Sequence, residues 1–219
     1  MEAMRWDPTD KSGPFGKLFD KLRKCKETEG KCPHLSFRSY YFEPNQETAE
    51  EWHNKAMFLG ELDRRVVFVC ESPGPSGKKM PPGVVLPCFN GSARVRRFHE
   101  IRKCYGLQNC YVTNTVKCGP KPHRLGKHTD DDIKACIGFL IDELELIQPM
   151  VAVGVGKNAM HTLRTVVALK MAKSNRVPPV LFQITHYSMH GDPAERWRCE
   201  FEELERLLAR LKPRAEWKR

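Results

Sequence analysis

The sequence predicts an α/β protein with a single domain, in which a central, four-stranded, largely parallel sheet is flanked by helices. Four short strand-like runs, at 66–70, 110–116, 150–154 and 180–185, alternate with helix-like stretches, the order typical of parallel strands joined by helices. The first run, Val-Val-Phe-Val-Cys, shows no polar alternation, as in strands covered on both faces. A chain of 219 residues is long enough to bury a core of this kind.

Two of the predicted helices have recognisable starts. Thr129 is followed by Asp132 three residues later, a capping-box pattern that opens a helix over 130–147. Asp192 and Pro193 suit the N-cap and the first position of the last helix, where short polar side chains and proline are preferred.

The remaining stretches of the sequence indicate how the domain is organised. Further helices are predicted at 17–24, 49–62, 94–106 (with Gly106 as C-cap) and 156–169. Residues 34–48 predict an irregular or extended connection, and the four prolines of 75–87 predict a stiff surface loop. We therefore expect an N-terminal segment at 1–48, an α/β core at 49–212 and a short tail at 213–219.

Composition indicates the partner and the compartment. A formal charge of +10 and a pI near 9.2 favour an anionic partner, of which nucleic acid is the commonest. No apolar run approaches the roughly 20 residues that span a bilayer, and the polar N-terminus has no signal-peptide core. We expect an intracellular protein, cytoplasmic or nucleoid-associated, that does not bind membranes. Its nine cysteines then act as thiols or metal ligands rather than as a disulfide framework.

Polar side chains of catalytic type follow three of the four predicted strands. Glu71 and Ser72 come after the first strand, Asn114 lies near the end of the second, and His186 follows the fourth. The carboxyl ends of parallel strands meet at one edge of a sheet, which is where ligands bind in open α/β folds. The sequence therefore predicts that these groups converge on a candidate catalytic site.

Five segments in a fixed order carry a family resemblance. They are Cys-Glu-Ser-Pro-Gly at 70–74, Cys-Phe-Asn-Gly-Ser-Ala at 88–93, Tyr-Val-Thr-Asn-Thr-Val-Lys-Cys at 111–118, an apolar strand with a glycine turn at 150–160, and His-Tyr-Ser at 186–188. In this order they resemble the uracil-DNA glycosylase superfamily over about 66–211, especially its iron–sulfur-containing (family 4-like) branch. The corresponding family motifs are G-E-x-P-G, P-F-x-G-x-A, Y-V-T-N-x-V-K-C and H-P-S.

The resemblance implies a DNA repair enzyme that removes a deaminated base, most often uracil, after flipping it out of the DNA. Phe89 would stack on the base, and the amide of Asn114 would read its polar edge. His186 would hydrogen-bond the departing base, and Glu71 or Ser72 would position the attacking water. The same resemblance implies Ser188 as a further substrate-binding residue. Phosphate contacts are expected from Lys78, Lys79, Arg94, Arg96 and Arg97.

The resemblance also implies a metal cluster that ties down the N-terminal segment. Its ligands would be Cys25, Cys32, Cys118 and Cys136, four thiolates suited to a [4Fe–4S] cluster. Four cysteines also suit tetrahedral zinc, which is the alternative. The N-terminal pair is spaced C-x₆-C, wider than the family's usual C-x₂-C.

Other departures from the motifs keep a second function open. Cys70 replaces a glycine of the first motif, and Tyr187 replaces the proline of the last. A non-catalytic iron–sulfur protein that binds DNA with the same fold is therefore the alternative to the enzyme. In a variant of the enzyme hypothesis, His123 or His128 of a basic loop captures the sugar. A third hypothesis is a thiol-redox or zinc protein. A monomer is expected for the enzyme.

Overall fold

The computed structural model describes the α/β core and some residues that precede it. The described residues are 13, 14, 17, 18, 21, 25, 35–39, 63–72, 93–108, 110–120, 129–169, 177–186, 191 and 193–211. The helix predicted at 49–62 and the loop predicted at 75–87 lie outside them. Within these ranges, none of the helices combines the length and the hydropathy that crossing a bilayer requires.

The described elements are six strands and four helices. In chain order they are β1 (Leu35–Ser39), β2 (Asp63–Cys70), α1 (Ala93–Cys104), β3 (Cys110–Asn114), β4 (Cys118–Pro120), α2 (Asp130–Ile147), β5 (Val151–Val155), α3 (Lys157–Leu169), β6 (Val180–Ile184) and α4 (Ala194–Arg210). The four predicted strands correspond to β2, β3, β5 and β6, within three residues at each end.

The main sheet has the strand order β3-β2-β5-β6, and every neighbouring pair is parallel. The predicted fold class, α/β with a four-stranded parallel sheet, is confirmed. Along β2, Val66 and Phe68 pack into one hydrophobic layer with α1 and α4, whereas Val67 and Val69 pack into another with α2 and α3. All four side chains are fully buried, and burial on both faces explains why this strand lacks polar alternation.

A second, two-stranded sheet was not predicted. β1 pairs antiparallel with β4, with Leu35 opposite Pro120 and Ser39 opposite Cys118. The connection at 34–48 is thus extended in part, as predicted, but it contains a paired strand. Residues 118–120, which follow the strand predicted at 110–116, form a separate strand. Because β1 and β4 lie about 80 residues apart in the chain, their pairing cannot be predicted from a local sequence pattern.

The predicted start of α2 is confirmed, whereas the predicted start of α4 differs from the structure. The Thr129 side chain accepts a hydrogen bond from the Asp132 N–H, and the Asp132 carboxylate accepts one from the Thr129 N–H, which confirms the capping box. In α4 the N-cap is Pro193, without a side-chain cap bond. The predicted assignment of Asp192 as N-cap is therefore wrong: the helix begins at Ala194, because the Pro193 carbonyl accepts the first helical bond, from Trp197 N–H at 2.9 Å.

The part of the chain that precedes the sheet contacts α2. Residues 17, 18, 21 and 25 have helical backbone. Leu18 is buried in the layer formed with α2 and α3, and Lys21 forms an ion pair with Asp142 of α2. These contacts hold Cys25 beside the hydrophobic core, where it packs as a partly buried side chain.

Candidate active site at the carboxyl edge of the sheet

The ends of β2 and β3 are joined by backbone and side-chain hydrogen bonds. Cys70 lies opposite Asn114 in the strand register. Beyond this pair, the Thr115 N–H donates to the Cys70 carbonyl at 2.8 Å, and the Thr115 hydroxyl donates to the Glu71 carbonyl at 2.6 Å. The Val116 N–H also donates to the Glu71 carbonyl, at 3.0 Å. Glu71 and Asn114 are therefore held side by side at the sheet edge, as the sequence predicts.

A buried ionic network lies behind Asn114. The Lys117 ammonium donates to the Asn114 carbonyl at 2.7 Å, to the Thr113 hydroxyl at 2.7 Å and to the Glu143 carboxylate at 2.5 Å. The same carboxylate accepts hydrogen bonds from the Thr113 hydroxyl at 2.8 Å and from the Tyr111 hydroxyl at 3.3 Å. Lys117 is 3% exposed and Glu143 is fully buried, so the two charges neutralise each other in the core.

This network fixes the backbone that carries Asn114. The Asn114 side chain is itself almost fully enclosed, at 1% exposure. A short charge-assisted hydrogen bond to its carbonyl, stronger than a neutral one, limits rotation of the peptide that follows it. An amide held in this way presents its donor and its acceptor in fixed directions, which is what recognition of a base edge requires.

His186 reaches the same edge from β6. It follows Ile184 by two residues, and the Gly156 N–H binds the Ile184 carbonyl at 2.8 Å. Gly156 has φ of +93°, and a Cβ there would lie 2.9 Å from the His186 Cβ, so glycine is required for the histidine to sit where it does. Burial lowers the pKa of His186 below its ordinary value of 6.5, and the smaller opposing effect is the Glu71 carboxylate, which raises it. Glu71 and His186 therefore lie within electrostatic range of each other at this edge of the sheet.

The structure thus brings together Glu71, Asn114 and His186, with Ser72 next to Glu71 and half-buried. Of the predicted phosphate contacts, Arg94 and Arg97 are exposed on α1. The following predicted residues lie outside the described residues: Lys78, Lys79, Phe89 and Ser188, together with the side chain of Arg96.

The predicted cluster ligands are partly brought together. Burial raises the pKa of the Cys136 thiol above its usual 9.0, the N–H of Lys117 lowers it by hydrogen-bonding the sulfur, and the neighbouring Cys25 raises it. Cys25 therefore lies within electrostatic range of Cys136, and Cys136 contacts the backbone that leads into Cys118. Cys32 and the Cys118 side chain lie outside the described residues, within which no three ligand-type side chains surround a common point.

These positions fit a site for a thiolate-bound metal. Cys25 and Cys136, from separate segments, lie within electrostatic range of each other, and the third cysteine follows Lys117 directly in the chain. A backbone N–H bonded to sulfur is also the kind of contact that stabilises a thiolate.

Three features of the site were not predicted from the sequence. They are the roles of Lys117 and Glu143 and the close approach of Gly156 to His186. A signal for the first two was present, because Tyr111 and Thr113 place polar groups on one face of a buried strand and Glu143 interrupts the apolar stripe of α2. Polar groups buried on facing elements are normally paired with each other.

The parallel sheet with a carboxylate, an amide and a histidine at one edge defines an α/β protein with its ligand site at the carboxyl ends of the strands. The family model described as "Uracil DNA glycosylase superfamily" matches residues 57–212. The chain belongs to the uracil-DNA glycosylase superfamily.

Individual relatives agree with this assignment. The chain is similar to the type-4 uracil-DNA glycosylase of Thermotoga maritima, with 34% identity over 101 residues, which cover 46% of this chain and 50% of the relative. The type-4 enzyme of Archaeoglobus fulgidus is 27% identical over 132 residues, covering 59% and 62% of the two chains. That of Saccharolobus solfataricus is 27% identical over 162 residues, covering 73% and 63%. The chain thus spans between 50% and 63% of the lengths of these relatives.

Proposed function

We propose that the protein is a DNA glycosylase that flips a deaminated base, uracil, out of DNA and hydrolyses its N-glycosidic bond to leave an abasic site. The observation that carries this proposal is the meeting of Glu71, Asn114 and His186 at the edge of a sheet whose chain belongs to this superfamily. The names of the type-4 relatives support uracil as the base. A site built from one chain supports action as a monomer on DNA.

Each residue has a role that its surroundings support. The Asn114 amide binds the polar edge of the flipped base, held by the network behind it. His186 donates a hydrogen bond to the base oxygen on which negative charge builds as the bond breaks, a kind of stabilisation that often contributes more to catalysis than any other. Phe89, by resemblance to the family motif, stacks on the base, and Ser188 contacts it.

Glu71 orients the attacking water, with Ser72 beside it. Water forms a bond to the sugar C1′ while the bond from C1′ to the base nitrogen breaks, and the bonding electron pair leaves with the base. Glu71 accepts the proton of the water. Its carboxylate lies close enough to raise the pKa of His186, which supports a shared position around the reacting sugar.

DNA is held through its phosphates. The exposed Arg94 and Arg97 of α1 contact the backbone without reading sequence, and by the same reasoning so do Lys78, Lys79 and Arg96. A formal charge of +10 supports binding that weakens steeply with salt.

The decisive experiment is base release from an oligonucleotide with one uracil, using anaerobically purified protein and alkaline cleavage of the abasic product. Oligonucleotides with hypoxanthine, xanthine or no lesion are the controls. Cleavage at uracil alone supports the proposal, and cleavage at another base changes the substrate while keeping the chemistry. If the folded protein binds DNA but cleaves none of the oligonucleotides, the proposal of an enzyme is overturned. That result would favour a non-catalytic DNA-binding protein.

Asn114→Asp is expected to impair uracil excision strongly while leaving salt-dependent DNA binding nearly intact. The carboxylate lacks the amide donor and repels the charge that builds on the base, whereas the phosphate contacts are untouched. Single-turnover excision and fluorescence anisotropy measure the two effects. Asn158→Asp, which makes the same charge change at an exposed position of α3, is the control. Equal loss of excision and of DNA binding contradicts the role given to Asn114.

We further propose that Cys25, Cys32, Cys118 and Cys136 hold a [4Fe–4S] cluster that ties the N-terminal segment to α2 and β4. The approach of Cys25 to Cys136 supports it, and so does the pairing of β1 with the strand that begins at Cys118. Such a cluster supplies a rigid structural crosslink, and zinc bound by the same thiolates is the alternative.

Removal of one ligand tests this site. Anaerobically purified protein is expected to contain about four iron and four sulfide ions per chain, with the broad visible absorption of a cluster. Cys136→Ala is expected to lose the metal and to melt at lower temperature, whereas Cys199→Ala, at an exposed position of α4, should keep both. Stoichiometric zinc without sulfide would identify the alternative, and a metal content unaffected by Cys136→Ala would refute the ligand set.

A further inference from the structure

Thr185 is the residue between β6 and His186. Its N–H, hydroxyl and carbonyl groups all form hydrogen bonds with side chains of α4. Its N–H donates to Glu200 Oε2 at 2.8 Å, and its hydroxyl donates to Glu200 Oε1 at 2.6 Å. Its carbonyl, which belongs to the peptide joining it to His186, accepts a hydrogen bond from the Trp197 indole at 2.8 Å. Two side chains of one helix therefore fix the peptide groups on both sides of Thr185.

The helix that carries these side chains is itself anchored in the core. Trp197 and Phe201 are fully buried, and the Trp197 ring packs edge-on to Phe98 with centroids 5.7 Å apart. Trp197 and Glu200 are three residues apart, so they lie on neighbouring positions of one helix face. Glu200 is 17% exposed and approaches the Arg196 guanidinium at 3.4 Å, which further restrains the carboxylate that Thr185 binds.

His186 also lies against the turn between β5 and α3. Gly156 lies close against the His186 side chain, since a Cβ at that position would lie 2.9 Å from the His186 Cβ. The peptide that leads into His186 is thus fixed by the Trp197 hydrogen bond, while Gly156 lies against the histidine side chain.

We propose that Glu200 and Trp197 are positioning residues for His186: by binding Thr185 they fix the peptide from which the histidine ring reaches the departing base. This inference rests on the proposed function for the role of the ring. Neither side chain contacts the substrate, and both act through the backbone. A displacement of about 1 Å can cost about a hundredfold in rate, so loss of these bonds is expected to lower excision about tenfold to a hundredfold.

The first test is a double-mutant cycle in single-turnover excision. Glu200→Ala is expected to lower the excision rate about tenfold to a hundredfold without changing DNA affinity, and Glu200→Gln, which keeps one acceptor oxygen, should fall between it and the wild type. In a His186→Ala background, Glu200→Ala is expected to have no further effect on the rate. Glu203→Ala, at an exposed position of the same helix, is the control. An equal loss in both backgrounds would overturn the inference, because it would show an effect that does not pass through His186.

A second test does not depend on activity. Ring signals of His186 in NMR spectra are expected to be sharp in the wild type and to broaden or split in Glu200→Ala, while those of the exposed His161 stay unchanged. Trp197→Phe, which keeps an aromatic ring but removes the N–H donor, should give the same response if the alanine variant does not fold. Absence of base release by the wild type would count against the proposed function alone, whereas unchanged His186 signals in both variants would overturn the positioning role.

Discussion

Lys117→Met is expected to lower the free energy of unfolding by about 3–5 kcal/mol, the cost of breaking a buried ion pair by removing one partner. The substitution leaves the Glu143 carboxylate buried and without its counter-charge, and two neutral hydroxyls, from Tyr111 and Thr113, remain as its donors. It also removes the ammonium hydrogen bond to the Asn114 carbonyl. Urea denaturation followed by circular dichroism measures the loss, provided that the slope with urea is unchanged.

A surface ion pair on α2 supplies the control. Lys134 and Asp131 lie 3.2 Å apart with both side chains largely exposed, so Lys134→Met should change stability by no more than about 1 kcal/mol. The double variant Lys117→Met/Glu143→Leu is expected to lose less than the sum of the two single losses, since no unpaired charge remains. Additive losses would mean that the two side chains are not coupled, contrary to the buried ionic network.

His186→Ala is expected to lower the excision rate by about 10²–10³-fold, the usual cost of losing one donor to a developing negative charge. Uracil-DNA affinity should fall much less, because the ring binds the base most strongly as charge develops on it. Single-turnover excision and DNA binding, measured on the same preparation, separate the two effects. His161→Ala, an exposed histidine of α3, is the control, and a loss below tenfold would contradict the role given to His186.

The same variant has an expected effect on stability that depends on pH. Burial lowers the pKa of His186 in the folded protein below 6.5, so the unfolded chain binds a proton first as the pH falls. The wild type should therefore lose stability relative to His186→Ala as the pH drops below 6.5, and the two should run parallel above it. Melting temperatures measured between pH 8 and pH 5 check the sign, and a wild type that gains stability on acidification would contradict it.

The sequence was sufficient to predict the sheet and the residues at its edge, because both depend on local patterns. Short apolar or β-branched runs predict the strands of such a sheet, and a polar residue at or just past the end of such a run lies at its carboxyl edge. Glu71, Asn114 and His186 were found in this way. The capping box at Thr129 was also readable, since its two members are three residues apart.

Residues that act through distant partners could not be predicted in this way. Lys117 and Glu143 lie 26 residues apart in the chain, and a lysine after a strand is normally expected to be exposed. Glu200 likewise looks like one of several surface glutamates of α4, and only the fold brings it to Thr185. The pairing of β1 with β4 depends on tertiary contact for the same reason, because the two strands lie about 80 residues apart in the chain.

The parallel arrangement of the main sheet has a consequence for synthesis on the ribosome. The central strand β2 pairs with β3 and with β5, whose residues follow it by about 40 and 80 positions, and β6 then pairs with β5. The bonds that hold Thr185 come from α4, later still. Synthesis proceeds at about 5–20 residues per second. Several seconds therefore pass between the synthesis of β2 and that of β5, its second neighbour in the sheet. During that interval the nascent chain exposes residues 66–70, the apolar part of β2 that is fully buried in the folded sheet, so this segment would benefit from protection by a chaperone.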